Sequence, residues 1–505
     1  MKQALAKQAK QAGQALILCL LLAGAAALVS LLLFNSGLLA NTKTQLQNAA
    51  DAGAYSGAVM LARDHNFAAY TNRAIVANQV AVAQLISLKS YLDDASSTRN
   101  RMNGKLQSYQ ATIPVSNMGW TPAKAIPIRE LANTYTNTIA RPGVPLIDRV
   151  ILAMEKAQQA HHDTTAASVM FIVDEVVQKN DKHAAVSKGA FAARSAAQVV
   201  AWRNNYTKQH RANDNSPAAN RFANVVINKE STDQFIRKRP SIPTAAWIGI
   251  PKQSFCPGGR PIFTNWNFQH DGGTILSSDK RRWLALDATE GDGIAVCIYI
   301  VLDVPVPYWD DFDDPDTTHG SGGSGGAVAG RNGAYNDQIG FGDQGEARRY
   351  GNALNERPTP ANVRYRRLGP GNTLDGAGGL QNNYRDIASF VLPENQSPEV
   401  NGGQVPLTVE VERDQATVRT SSTFLGGATN IRVDPQMKAA KMRTLSSAHA
   451  FFYRPKQDSS AFTKSGWKRS LDNKAEMANL FNPYWQARLR DHSTIEWGAS
   501  FEAQR

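Results

Sequence analysis

Cysteine is scarce: Cys19, Cys256 and Cys297 are the three in 505 residues. That number excludes a small scaffold held together by disulfides. No proline occurs before Pro114, so nothing in the first hundred residues forces a helix to stop. Charge is missing between Lys10 and Lys43. There is no His-Glu-x-x-His string and no Walker phosphate loop, which removes the commonest zinc-protease and nucleotide-hydrolase signatures. The net charge of +12 comes from scattered basic residues, and the tightest cluster, Arg364, Arg366 and Arg367, has no nucleic-acid-binding module around it. No cofactor and no nucleic-acid partner are therefore expected. A 42% hydrophobic fraction beside 19% charged residues fits a chain whose larger part folds around a core.

From Ala15 to Phe34 the run ALILCLLLAGAAALVSLLLF offers hydrogen-bonding capacity only at Ser30, Cys19 aside. About 20 such residues at 1.5 Å each span a hydrocarbon core of about 30 Å, so residues 14–40 are expected to form one transmembrane helix. Lys2, Lys7 and Lys10 precede it with no acid among them. The positive-inside bias then places residues 1–13 in the cytoplasm and everything after about Leu39 outside the cytoplasmic face of the membrane. A cleaved signal peptide has a shorter apolar core and a small-x-small exit, which Leu38 spoils here. Membrane lipid is accordingly the first expected partner.

Directly after the run, Ala49, Gly53 and Gly57 recur every fourth residue, as do Ala50, Ala54 and Ala58. On a helix these are two neighbouring ridges without bulk, a helix-packing interface on which another helix can come close. Spacing alone leaves open whether that helix belongs to this chain or to another molecule.

The string GQAL, the apolar run and LQNAADAGAYSGA together resemble the N-terminal segment of TadG-like proteins, in the TadE/TadG group of tight-adherence (Flp) pilus-assembly proteins. NFAAYTNRAIVANQVAVAQ (Asn66 to Gln84) and NLFNPYWQARL (Asn479 to Leu489) are similar to TadG-related members as well. The resemblance implies a non-enzymatic inner-membrane protein that helps to build or anchor a type IV-like pilus. Its partners would be pilin-like or other assembly proteins, or further copies of itself. Prepilins usually carry glutamate five residues after the cleavage glycine, where this chain has Leu18, so processing is not expected. Some TadG-like proteins carry a metal-binding Asp-x-Ser-x-Ser loop, but the nearest string, Asp94 to Thr98, follows a helical pattern and reads as a polar helix end.

The remaining pattern predicts an α+β chain. Residues 41–239 read as a periplasmic helical domain with a break near Asp64 to Tyr70, a proline-rich connection from Thr112 to Pro145, and helices over Ala184–Arg203 and Ser216–Ile236. Residues 240–435 read as a β-rich antiparallel domain, its glycine-rich stretch 319–349 forming a mobile loop; the Gly320-x-Gly322-x-x-Gly325 string in it lacks the strand and helix a phosphate site needs. Cys256 and Cys297 within this domain are either a disulfide or two buried thiols. The acids between Asp310 and Asp316 read as a solvated loop rather than a calcium site. His161 and His162, adjacent and therefore about 100° apart on a helix, read as surface or lightly buried. Residues 436–505 read as a C-terminal helix and an aromatic tail, whose Phe481, Tyr484, Trp485 and Leu489 carry too much apolar bulk to stay in water and should dock.

Overall fold

The computed structural model describes residues 2–110, 128–188, 190–237, 239, 247–249, 260–277, 279–301, 304–311, 323–329, 373–374, 376, 379–380, 382–388, 404–418, 441–453 and 478–492. Their order is α1 (Lys2–Gln110), α2 (Ile128–Thr134), a π turn (Tyr135–Ala140), α3 (Arg141–Asn180), β1 (Ala184–Val186), α4 (Ala190–Ala201), a second π turn (Trp202–Tyr206), β2 (Thr207–Arg211), α5 (Pro217–Ile227) and α6 (Gln234–Arg237). Ten strands follow: β3 (Trp247–Gly249), β4 (Arg260–Leu276), β5 (Trp283–Val301), β6 (Val304–Asp311), β7 (Gly323–Ala329), β8 (Thr373–Leu374), β9 (Asn383–Ile387), β10 (Gln404–Asp414), β11 (Lys441–Phe452) and β12 (Trp485–Leu489). The α+β composition expected from the pattern is present: a long apolar N-terminal helix, further helices and largely antiparallel sheets.

Helix α1 passes through Asp64 to Tyr70 without a break. With no proline and many alanines, nothing there favours interruption. The chain groups into two compact units. Unit 1 comprises residues 1–70, 159–208 and 386–505, and unit 2 comprises 71–158 and 209–385. Long-range strand and helix pairings set these boundaries, and local periodicity carries no information about them.

In unit 1, β1, β10, β11 and β12 form an antiparallel sheet in that order. Val405, Leu407, Val409 and Val411 alternate on β10, and Met442, Ala448, Ala450 and Phe452 share their face of β11. That face joins Leu46, Ala49, Ala50, Ala54, Ala58 and Leu61 of α1 and Val169, Val173 and Val177 of α3 in one core. The stretch expected to be a helix after Gln436 is thus a strand over Lys441–Phe452. Its Ala448 and Ala450 share the inward face with Thr444 and Ser446, whose partners lie on α1: Thr444 donates to Gln47 Oε1, and Ser446 donates to Asp51 Oδ1 at 2.7 Å. The predicted helix over Ala184–Arg203 likewise yields its start to β1, because Ala184, Ala185 and Val186 pair with Arg413, Glu412 and Val411.

In unit 2, β3, β4, β5, β7 and β8 form a sheet with β6 also paired to β5; every pairing is antiparallel except β7 with β8. The glycine-rich stretch expected to be a loop supplies β7, whose backbone pairs with β5 from Gly323–Thr289 to Ala329–Trp283. Ladder hydrogen bonds need only backbone, and the long partner strand provides them. Arg239, 1% exposed, grips the fully buried Asp287 through two parallel bonds of 2.5 and 2.7 Å and also donates to Gly273 O and Thr274 Oγ1. Saturating a buried guanidinium in this way offsets the cost of removing it from water. Gly379 sits at φ +59° where a Cβ would lie 2.4 Å from the Arg281 carbonyl carbon, so only glycine closes that turn.

Candidate functional site

Three consecutive zones of α1 carry the features that point beyond folding. The first is the apolar run. Leu16, Leu20, Leu21, Leu22, Leu28, Leu32 and Leu33 are each more than half exposed, and no heavy atom stands within 4 Å of where a Cβ would sit on Gly24 or Gly37. Leaving so much aliphatic surface in water is costly at about 25 cal/mol per Å². This run is the one helical stretch among the described residues that is long and apolar enough to cross a bilayer.

The second zone is the small-residue ridge, where burial begins with Thr42 and Leu46. Ala49, Ala50, Ala54 and Ala58 have no exposed surface, and Gly53 and Gly57 are buried between them. A Cβ on Gly53 would lie 2.7 Å from Val177 Cγ2 and 3.3 Å from the Val173 carbonyl oxygen. One on Gly57 would lie 2.4 Å from Leu407 Cδ2 and 2.8 Å from Val173 Cγ2. The ridge therefore packs against α3 and β10 of its own chain. Absence of side-chain bulk is what admits the valines of α3 so close to the α1 backbone.

The third zone is a buried polar knot one turn further on, which the sequence pattern did not disclose. Asp64, 2% exposed, holds His161 Nδ1 at 2.8 Å with one oxygen and His162 Nδ1 at 2.7 Å with the other, tying α1 to α3. His162 is 1% exposed, more deeply buried than the surface or lightly buried position expected, and its Nε2 lies 3.1 Å from the Arg203 carbonyl oxygen. Both ring nitrogens thus face oxygen acceptors. Next to it the Trp202 indole donates to His65 Nε2 at 2.9 Å, and His65 stacks on Tyr206 and meets Trp485 edge-on at 4.2 Å. Burial pushes the Asp64 carboxyl up, but the bonds from His161 and His162 and the nearby His162 and His65 rings more than offset it and bring it down to about 2. Burial alone raises the Tyr206 hydroxyl far above its ordinary value.

The tail docks into this region of unit 1. Asn66 clasps the Trp485 backbone, donating to its carbonyl at 2.9 Å and accepting from its N–H at 3.1 Å, so one side-chain amide serves as the next strand beside β12. Of the four candidate docking residues, Phe481 and Trp485 are buried, Tyr484 is half-buried, and Leu489 is 47% exposed. The Cys256–Cys297 pairing and the acidic loop beyond Asp311 lie outside the described side chains. Asp94 sits within α1, which runs on to Gln110 and does not end there as the pattern suggested. Among the described residues no group of three or more His, Cys, Asp or Glu is arranged to hold a metal ion.

The knot gives unit 1 a predictable response to acid. A carboxyl whose folded value lies below its unfolded one stabilises the fold above the unfolded value and loses that contribution as pH falls through the folded value. For Asp64 the window runs from 3.8 down to about 2. The stability lost across it is about 2 kcal/mol. Urea unfolding of the full chain followed by tryptophan fluorescence should show this loss, and Asp64→Asn should flatten the pH dependence in that window while lowering stability at neutral pH.

No curated protein and no solved structure matches the chain. A family model does match, and its span takes in the first two zones and stops before the knot. Over residues 13–60 the chain carries the Tad segment, described as putative Flp pilus-assembly TadE/G-like.

Proposed function

We propose that this chain is a structural, non-catalytic component of Flp-type pilus assembly, held in the bacterial inner membrane by α1 with its N-terminus in the cytoplasm and its bulk in the periplasm. The observation that carries this reading is the coincidence of the Tad segment at 13–60 with the exposed apolar run from Leu16 to Leu39. Uncovered aliphatic surface on a helix of that length is best matched by lipid. The ridge from Ala49 to Ala58 is filled by the chain's own Val173, Val177 and Leu407, so contact with pilin-like helices falls to the run itself. There Gly24, Ala25, Ala26 and Ala27 leave room for a partner helix to approach within the bilayer.

The test is genetic. Cells lacking the chain should assemble few or no Flp filaments, counted by electron microscopy. The full chain should restore them, and a chain without Leu16–Leu39 should not. Normal piliation without the protein would sink the proposal.

A further inference from the structure

An open groove of about 530 Å³ runs along α5 in unit 2, lined by Asn215, Pro217, Asn220, Arg221, Asn224, Val225 and Asn228. Hydrogen bonds to exposed donors orient two of its amides. The Lys280 ammonium donates to Asn220 Oδ1 at 2.6 Å and to the Asp214 carbonyl at 2.7 Å, and the Glu230 N–H donates to Asn228 Oδ1 at 3.0 Å. A lysine and a backbone N–H can only donate, so in both asparagines the amide oxygen is turned toward that donor and the two N–H groups of the NH₂ are turned away from it. Arg221 adds a guanidinium, which is donor-only. The acid at the near end, Asp214, is not in the lining, and its carboxylate accepts from the N–H and hydroxyl of Ser216.

The spacing narrows the ligand further. Asn220 and Asn224 stand four residues apart on α5, about 6 Å along its axis, and Asn228 caps the helix at the next such interval. Alternate residues of an extended peptide repeat at about 6.6 Å and point to one side. Pro217 and Val225 supply apolar surface between the donors. We propose that this groove binds an extended acidic segment of another protein, with carboxylates at alternate positions received by the amides of Asn220, Asn224 and Asn228 and by Arg221.

The probe is a fluorescein-labelled Glu-Ala-Glu-Ala-Glu peptide titrated into the detergent-solubilised full chain at low salt and followed by anisotropy. Saturable binding is expected, with Kd raised about fivefold or more by Asn224→Leu and by Arg221→Gln, the scale of one lost hydrogen bond or charge contact. Both variants should melt with the wild type, which separates a lost contact from a lost fold. A peptide with its three glutamates contiguous should bind more weakly, and inorganic phosphate in tenfold excess should leave the first peptide bound. Absence of saturable binding, Kd values unchanged in both variants, equal binding of the contiguous peptide, or displacement by phosphate would each overturn the assignment.

Discussion

Replacing Gly57 by leucine should unfold unit 1 at markedly lower denaturant concentration, a loss of about 3 kcal/mol or more. The first added carbon already lies 2.4 Å from Leu407 Cδ2 and 2.8 Å from Val173 Cγ2, and both of those side chains are fully buried. Alanine asks the two neighbours only to rotate aside and should cost about 1 to 2 kcal/mol. Leucine adds three more carbons, and they can be admitted only by moving α3 or β10 away from α1. The matched control is Gly24→Leu, where nothing stands within 4 Å and the fold should be indifferent. Equilibrium unfolding of the three variants against wild type in the same detergent decides the matter. A Gly57→Leu chain that unfolds at the wild-type midpoint would mean the ridge is not packed as described.

That ridge was legible because its signal is local: two rows of small residues at a four-residue period have one meaning on a helix. The apolar run was legible for the same reason. The partners of the ridge were not, since Val173 and Leu407 are far along the chain from Gly57 and nothing in the local pattern links them. The polar knot escaped notice on similar grounds, as His161 and His162 stand 97 and 98 positions from Asp64. Its one local sign was an acid and a histidine, Asp64 and His65, placed just after the core residues Leu61 and Ala62. The adjacency of His161 and His162 argued against a metal pair and led away from the arrangement observed, in which neighbouring residues share one carboxylate.

The strand β11 was misread for a different reason. Alanine and methionine favour helices, and the alternation that should have announced a strand was written in Thr444, Ser446 and Ala448, small residues that hydropathy barely distinguishes. Only the opposing Gln47 and Asp51 reveal why hydroxyls occupy inward positions there. In β7 the glycines of 323–326 gave no side-chain pattern at all, and pairing with β5 decided the outcome. Tertiary context overrode propensity in both cases.

The second large effect concerns the apolar run. Leu22 and Leu28 are 61% and 54% exposed, so arginine at both positions disturbs no packing among the described residues. In a bilayer the same pair lies near the centre of the span, where each arginine costs about 2.5 to 3.5 kcal/mol to insert. Together they remove about 5 to 7 kcal/mol of insertion free energy, and the variant should fold its units yet leave the membrane. Lysines at 2, 7 and 10 cannot compensate, because surface attraction to anionic lipid is screened by salt and lost at alkaline pH.

Flotation of cell membranes through a density gradient after alkaline carbonate extraction tests this most directly. The wild-type chain should rise with the lipid, and the chain carrying Leu22→Arg with Leu28→Arg should stay at the bottom. Wild-type protein released by carbonate, or a double variant that floats as the wild type does, would contradict the assignment of Leu16–Leu39 to the bilayer.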